Sequence, residues 1–519
     1  MAASISPDLY FAGHAVVDAP LEPLLVHGGD SRLSLQPHGQ NRYGCAPWPR
    51  SAIPFGSCTA SSISERGFAA ARRARAKLSV DDVARAGDEA CRSIRQHLRR
   101  LFQLPPEVAI ALTPSGTDAE LLALALASAG APRRAIVNIV VGGDEVGTGT
   151  SLAASARRFD ARSPFGAPRA IGEPVDPELA ARVETFVVDL RTPDGRMRDP
   201  ADVDDTVSAR VAGAVAEGSS VLLHVVSHGK TGTHAPTAHC VKRLRRRYPQ
   251  LAVVVDASQG RFSRAGLSQI MAQGFAAIVT GSKFFGGPPF SGALLVPPGF
   301  APARQPLERL PEGFGDYFTA AEMPKIWQPI RGALPPGPNL GLVVRWSAAL
   351  AEMQAYYDTP AESRSRVLRF FEREAAEVLT ASPVLAPAAS PAADRLLPSK
   401  HSVLTLRVRP RGAARDLGSS ELLELHGRLN ADVSAEFPEI DAIVARRAFH
   451  LGQPVRLGNG GYALRVALGA VLIVDVCRDR RLGSTFDERL GWLREQLLAL
   501  RGKIEALTDR SPRRHGGAP

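Results

Sequence analysis

From residue 81 onward the chain alternates between two hydrophobic rhythms. Val83, Ala86, Cys91, Ile94, Leu98 and Leu101 recur mostly at threes and fours, which predicts a helix over 81–103. Short apolar runs follow at 108–112, 135–141, 185–190, 221–226, 251–255 and 276–279. Between most of them lie helical stretches such as 118–127, 202–216 and 238–247. Buried apolar strands alternating with helices predict an α/β domain, a mostly parallel sheet with helices on both faces. After Val296 a Pro-rich stretch runs to Pro338 and reads as a long loop. Beyond it, 340–357 and 361–381 read as helices, 401–409 and 462–475 as strands, and 419–430 and 486–507 as helices. The expected organisation is an extended N-terminal segment (1–80), a large domain (81–338), a smaller C-terminal α+β domain (339–507) and a disordered tail (508–519).

Composition changes this picture little. A chain of 519 residues with 45% hydrophobic and 22% charged residues is neither disordered nor fibrous. The net charge of +11 raises nucleic-acid binding. The basic residues are nevertheless spread along the chain, and only 243–247 and 478–481 are dense. Seven of the 63 basic residues are lysines, so the excess is arginine in an alanine-rich composition. Five cysteines, odd in number and without a CxxC, make neither a disulfide framework nor a zinc site and suit a reducing compartment. No signal peptide and no 18-residue apolar run is seen, so a soluble, cytoplasmic protein is expected. His224, His228, His234 and His239 lie close together, but no acidic or cysteine partner completes a metal site and none is expected.

Three segments carry the chemistry. Thr113-Pro114-Ser115-Gly116-Thr117-Asp118-Ala119-Glu120 follows a strand and opens a helix. Small residues there let backbone N–H groups approach an anion, although a plain helix cap would explain the same letters. Val253-Val254-Val255-Asp256-Ala257-Ser258-Gln259 ends an apolar strand in a carboxylate, where ligands gather in parallel sheets. Asp256 there suits a protonated ring nitrogen, and equally a turn. Ile278-Val279-Thr280-Gly281-Ser282-Lys283 places a lysine between a buried strand and a Gly/Pro-rich turn. In a chain so short of lysine that position is informative, since a desolvated amine suits Schiff-base chemistry. An anion cradle, a ring-nitrogen partner and an amine, in that order, are what pyridoxal 5'-phosphate requires.

On these residues the sequence resembles the fold-type I pyridoxal-phosphate enzymes, in particular the class V aminotransferase and cysteine desulfurase group, over about 85–475. The resemblance implies their fold, a seven-stranded mostly parallel sheet plus a smaller C-terminal domain. It implies that Lys283 is the Schiff-base lysine, that Asp256 bonds the pyridine nitrogen and that Gln259 bonds the ring hydroxyl. Ser115, Gly116 and Thr117 match the phosphate loop, with Thr280 and Ser282 as further donors. Thr231-Gly232-Thr233-His234-Ala235-Pro236 resembles the family's Thr-Gly-x-x-x-Pro turn, and His228 stands near a missing asparagine. Arg465, in Leu464-Arg465-Val466-Ala467-Leu468-Gly469, matches the arginine that holds a substrate α-carboxylate. Asn41 is a weaker substrate-lining candidate. The family's ring-stacking aromatic is absent from 142–150, where Glu145 or Thr148 would face the cofactor instead.

No cysteine lies between Cys240 and Cys477, which disfavours the desulfurase mechanism. Transamination of an amino acid or amine is the first expectation because it needs no further residue. A β- or γ-eliminating lyase or replacement enzyme is the second. A non-catalytic pyridoxal-phosphate-binding regulator would need an added helix-turn-helix, which 1–80 does not show. The resemblance also implies a homodimer, with Phe314-Gly315-Asp316-Tyr317-Phe318 in the 300–338 loop placed to reach a neighbouring site. No nucleic acid or membrane partner is expected.

Overall fold

A computed structural model describes residues 20–56, 64–78, 82–129, 134–300, 310–388, 394–397, 402–457 and 461–509. The expected tail from residue 510, the first 19 residues and 301–309 of the predicted loop lie outside the described residues. In chain order the strands are β1 Ile53–Phe55, β2 Ala109–Thr113, β3 Ile136–Val141, β4 Val183–Val188, β5 Ser220–Ser227, β6 His234–Ala235 and β7 Ala252–Asp256. They continue with β8 Ala276–Thr280, β9 Gly292–Val296, β10 Leu385–Pro387, β11 Val403–Val408, β12 Phe449–Arg456 and β13 Tyr462–Ala467. The helices that matter here are α1 Glu65–Arg75, α2 Val83–Phe102, α3 Gly116–Ala129, α4 Arg264–Ala272, α5 Leu340–Tyr357, α6 Ala361–Thr380 and α7 Ala470–Arg478.

The large sheet runs β2-β9-β8-β7-β5-β3-β4, with β6 paired to β5 off that path. β4, β3, β5, β7 and β8 are mutually parallel, and β9 is antiparallel to both its neighbours. The interior parallel strands β3, β5, β7 and β8 are mostly apolar because both faces are covered, which is why they read as continuous runs, whereas the edge strand β4 is only partly buried. Leu222, Val254 and Ile278 pack on one face against Leu121, Leu122 and Leu124 of α3. Leu223, Val253 and Val255 pack on the other, in one cluster with Leu98 of α2 and Val343 and Trp346 of α5. The smaller sheet runs β1-β12-β13-β11-β10. Among the described residues no helix is long and apolar enough to cross a membrane.

Three expectations need correction. The N-terminal segment is more than an extended cover: α1 packs on α5, and β1 adds a parallel edge strand to the C-terminal sheet. The sequence hid α1 because its buried face is only Gly67 and Ala71 beneath a crowd of arginines. Second, 462–475 is not one strand. β13 ends at Ala467 and α7 begins at Ala470, whose N–H donates to Phe284 O at 2.6 Å. An apolar run by itself does not distinguish a buried strand from a buried helix, and here a distant contact decides. Third, the aromatic residues of the Pro-rich stretch are not a reaching loop. Phe314, Tyr317 and Phe318 are at most 1% exposed and sit in the core beneath α3.

Candidate active site

The carboxyl ends of β5, β7 and β8, the start of α3 and the β12–β13 edge of the small sheet enclose a cleft of about 360 Å³. Ser115, Gly116, Thr117, His228, Asp256, Gln259, Thr280, Ser282, Lys283 and Arg465 all line it. Residues separated by up to 350 positions (465 − 115) thus meet in one place.

Ser115 sits between β2 and α3. Its hydroxyl accepts from Thr117 N–H at 3.2 Å and donates to Asp118 Oδ2 at 2.5 Å, and its own N–H reaches the same oxygen at 2.8 Å. β9 approaches so closely that any side chain at Gly292 would lie 2.8 Å from the Ser115 carbonyl carbon. Burial pushes the Asp118 carboxyl up to about 7, with Asp30 adding to the rise and Ser115 and Arg32 opposing it. Arg32 was not foreseen. Its Nε lies 2.9 Å from each oxygen of Asp30, its Nη2 reaches Ser115 Oγ at 3.2 Å, and its guanidinium lies over the Phe290 ring at 4.9 Å. It comes from a segment without periodicity, more than 80 residues before the loop it joins, so only the tertiary contact reveals it.

Asp256 ends β7 between β5 and β8, where it accepts from Ser258 N–H at 3.0 Å and from the Ser258 hydroxyl. Gln259 is buried, and its Oε1 has no hydrogen-bond partner among the described residues. Such an atom costs free energy unless something bonds it. Thr280 lines the cleft but donates its hydroxyl hydrogen to Ser258 O at 2.6 Å. Lys283 follows in a tight turn closed by Gly281 N–H to Ser291 O (2.8 Å) and Gly287 N–H to Gly281 O (2.9 Å). Behind Asp256, the buried Glu120 and His224 face each other at 3.3 Å. Burial raises the Glu120 carboxyl above its usual range, outweighing the opposing effects of the His224 ring and the Asn138 amide.

On the opposite wall, Arg465 on β13 donates through Nε and Nη2 to Gln453 O, at 3.1 and 2.9 Å. His228 is buried with φ of 61° and lies edge-on to His234. Glu145 is not a free wall group: Arg191 and both the N–H and hydroxyl of Thr231 hold it. Burial favours its neutral form, but Arg191 and these bonds win and keep its carboxyl below the usual range. Thr148 and the buried Val146 line the cleft beside it. Asn41 is a correction. Its Oδ1 accepts from Tyr43 and Cys45 N–H at 2.9 and 3.2 Å, so it builds a turn, and its neighbours Arg42 and Tyr43 line the cleft instead.

This is an α/β fold with its site at the carboxyl ends of parallel strands, closed by a second sheet. Solved structures share it. A cystine C–S lyase in complex with its product cysteine persulfide is 14% identical, covers 86% of this chain and 97% of its own, and has a TM-score of 0.50. A mutant of that lyase, with glycine covalently linked to its PLP cofactor, is 14% identical over 86% and 96% of the two chains, with a TM-score of 0.51. Pyridoxamine-pyruvate aminotransferase from Mesorhizobium loti is 15% identical over 87% and 98%, at 0.50. The chain therefore has the fold of pyridoxal-phosphate-dependent enzymes. No family model and no curated protein sequence matches it.

Proposed function

We propose that the cleft binds pyridoxal 5'-phosphate and that the protein is a pyridoxal-phosphate-dependent enzyme acting on an amino acid or amine, with transamination as its reaction. The observation that carries this reading is the convergence of Lys283, Asp256, Gln259 and the Ser115–Thr117 turn in one cleft. The orphaned, buried Gln259 Oε1 supports a bound polar group there.

The start of α3 offers backbone N–H groups and the positive end of a helix to a phosphate, and Arg32 adds a cation at Ser115. Asp256 is placed to accept a ring N–H, and Gln259 to bond a ring hydroxyl. Once bound, the cofactor supplies an aldehyde that takes an amine and an electron sink for bonds at the substrate Cα. The Lys283 amine would be the base that moves the substrate Cα proton. Arg465 would hold the substrate carboxylate by turning its Nε and Nη2 from Gln453 O, its planar fork suiting that bidentate contact. No described cysteine lines the cleft, which argues against a cysteine-based sulfur transfer, and Cys58 lies outside the described residues. A cytoplasmic location is part of the proposal, resting on the few, widely spaced cysteines of the sequence. A homodimer is part of the proposal, by its resemblance to fold-type I enzymes.

Purified wild-type protein is expected to be yellow and to trap the cofactor on Lys283 with borohydride. Equal trapping by Lys283→Ala would overturn the assignment. A panel of amino donors and keto acceptors, followed by cofactor absorbance and product analysis, separates transamination from elimination. Release of a keto acid without amination of an acceptor would replace transaminase by lyase.

A further inference from the structure

A second cavity, of about 420 Å³, lies apart from the cleft, between the large domain and the C-terminal domain. Among the described residues, every ionisable side chain on its wall other than two tyrosines is an arginine: Arg261, Arg264 and Arg364. Its remaining described polar side chains are the hydroxyls of Ser263, Ser365, Ser402, Tyr356 and Tyr357, and no carboxylate among the described residues lines it. The guanidiniums are fixed on aromatic faces. Arg264 lies 3.8 Å from the centre of the Tyr357 ring, Arg364 4.4 Å from Tyr356 and Arg261 5.1 Å from Phe284. Such stacking holds a planar cation in place and leaves its N–H edges to recognise an anion.

Two helices also begin at this wall. α4 starts at Arg264 and α6 at Ala361, and both residues line the cavity. The α6 N-cap is Pro360, with no side-chain cap bond, so its first N–H groups lack the usual partner. Among the described residues, the uncapped start of α6, the Ser263-capped start of α4 and the Arg264 and Arg364 guanidiniums make a donor-rich surface. Clustered cations in a recess are costly unless an anion joins them.

We propose that this interdomain cavity is a binding site for a small organic anion, a phosphate or carboxylate carried on a flat ring. The guanidiniums and helix ends take the anion, and Phe262 and Phe284 pack on the ring. Phe284 directly follows Lys283, its N–H donates to Gln259 O at 3.1 Å and its carbonyl accepts from Ala470. Arg261 donates to Leu468 O at 2.9 Å and to the Ser402 hydroxyl, joining the two domains at the cavity. The ligand therefore acts as an effector that sets the Lys283 turn against the C-terminal domain. This inference does not depend on what fills the cleft.

The test is calorimetric titration of the full chain, loaded with pyridoxal phosphate and freed of excess cofactor by gel filtration, using phenyl phosphate, phthalate and inorganic phosphate as probes. One of the two ring-bearing anions is expected to bind saturably and about tenfold or more tighter than inorganic phosphate. Phenyl phosphate against phthalate distinguishes a phosphate from a carboxylate ligand. Arg264→Gln/Arg364→Gln is expected to weaken binding about tenfold or more, while Lys283→Ala leaves it unchanged. On wild-type protein, the bound probe should also protect Arg264 and Arg364 from phenylglyoxal, read by peptide mass spectrometry, which needs no variant to fold. No saturable binding of either ring-bearing anion, or binding lost in Lys283→Ala and kept in the double variant, would overturn the proposal. Failure of Lys283 to trap cofactor would end the cleft reading and leave this one standing.

Discussion

Single side chains decide what the cleft can hold. Arg32 is the clearest case, because its Nη2 contacts the same Ser115 hydroxyl that the phosphate reading uses. Arg32→Met is expected to weaken pyridoxal phosphate about tenfold or more while leaving phosphate-free pyridoxal unaffected, measured by absorbance titration. Equal losses for both would show that Arg32 only supports the fold. Arg465→Lys keeps the charge and loses the fork. The expected result is a rise of about tenfold or more in KM for α-carboxylate substrates, with little change for amines lacking one. Asp118 gives a pH prediction. Its folded carboxyl titrates near 7, above its ordinary value of 3.8. The unfolded state therefore loses its proton first, and stability declines as pH rises from about 4 to about 7. Asp118→Asn removes that decline, so its melting temperature should gain on wild type between pH 5 and pH 8. A constant difference would show that Asp118 is not held protonated.

Elements show why those side chains meet. α5 is buried over most of its length, and its Asn339 cap accepts from Leu342 N–H at 3.0 Å while donating to Gly28 O at 2.9 Å. One residue thus starts the interdomain helix and ties down the segment carrying Asp30 and Arg32. β1 works similarly at the small sheet. Phe55 is fully buried between Phe371 and Phe449, with ring centres 6.2 and 6.4 Å away. Phe55→Ala is expected to cost about 3–5 kcal/mol in chemical denaturation. A loss under about 1 kcal/mol would mean that the edge strand is dispensable. The interior strands and helices were legible in sequence because their periodicity is strong, and α5 spans 340–357 as read. β12, β1 and α1 were not legible. β12 carries Gly452 and Pro454 with a register irregularity, β1 has three residues, and α1 buries too little apolar surface to print a pattern.

At the scale of the whole molecule, the N-terminal segment contributes to both lobes: Arg32 to the cleft and β1 to the C-terminal sheet. Sedimentation of the purified chain tests the proposed homodimer, and a monomer with full activity would end it. The sequence by itself determined the order of strand, phosphate turn, carboxylate and lysine, because each of those signals is local: an apolar run and the few residues at its end. It could not show that Asn41 serves a turn, that Glu145 is tied to Arg191, or that Phe314 and Tyr317 are core. Nor could it bring Arg32 to Ser115, or gather Arg261, Arg264 and Arg364 around one cavity. Those outcomes depend on which distant groups satisfy a buried charge or cover an apolar ring, and only the packed chain supplies the partners.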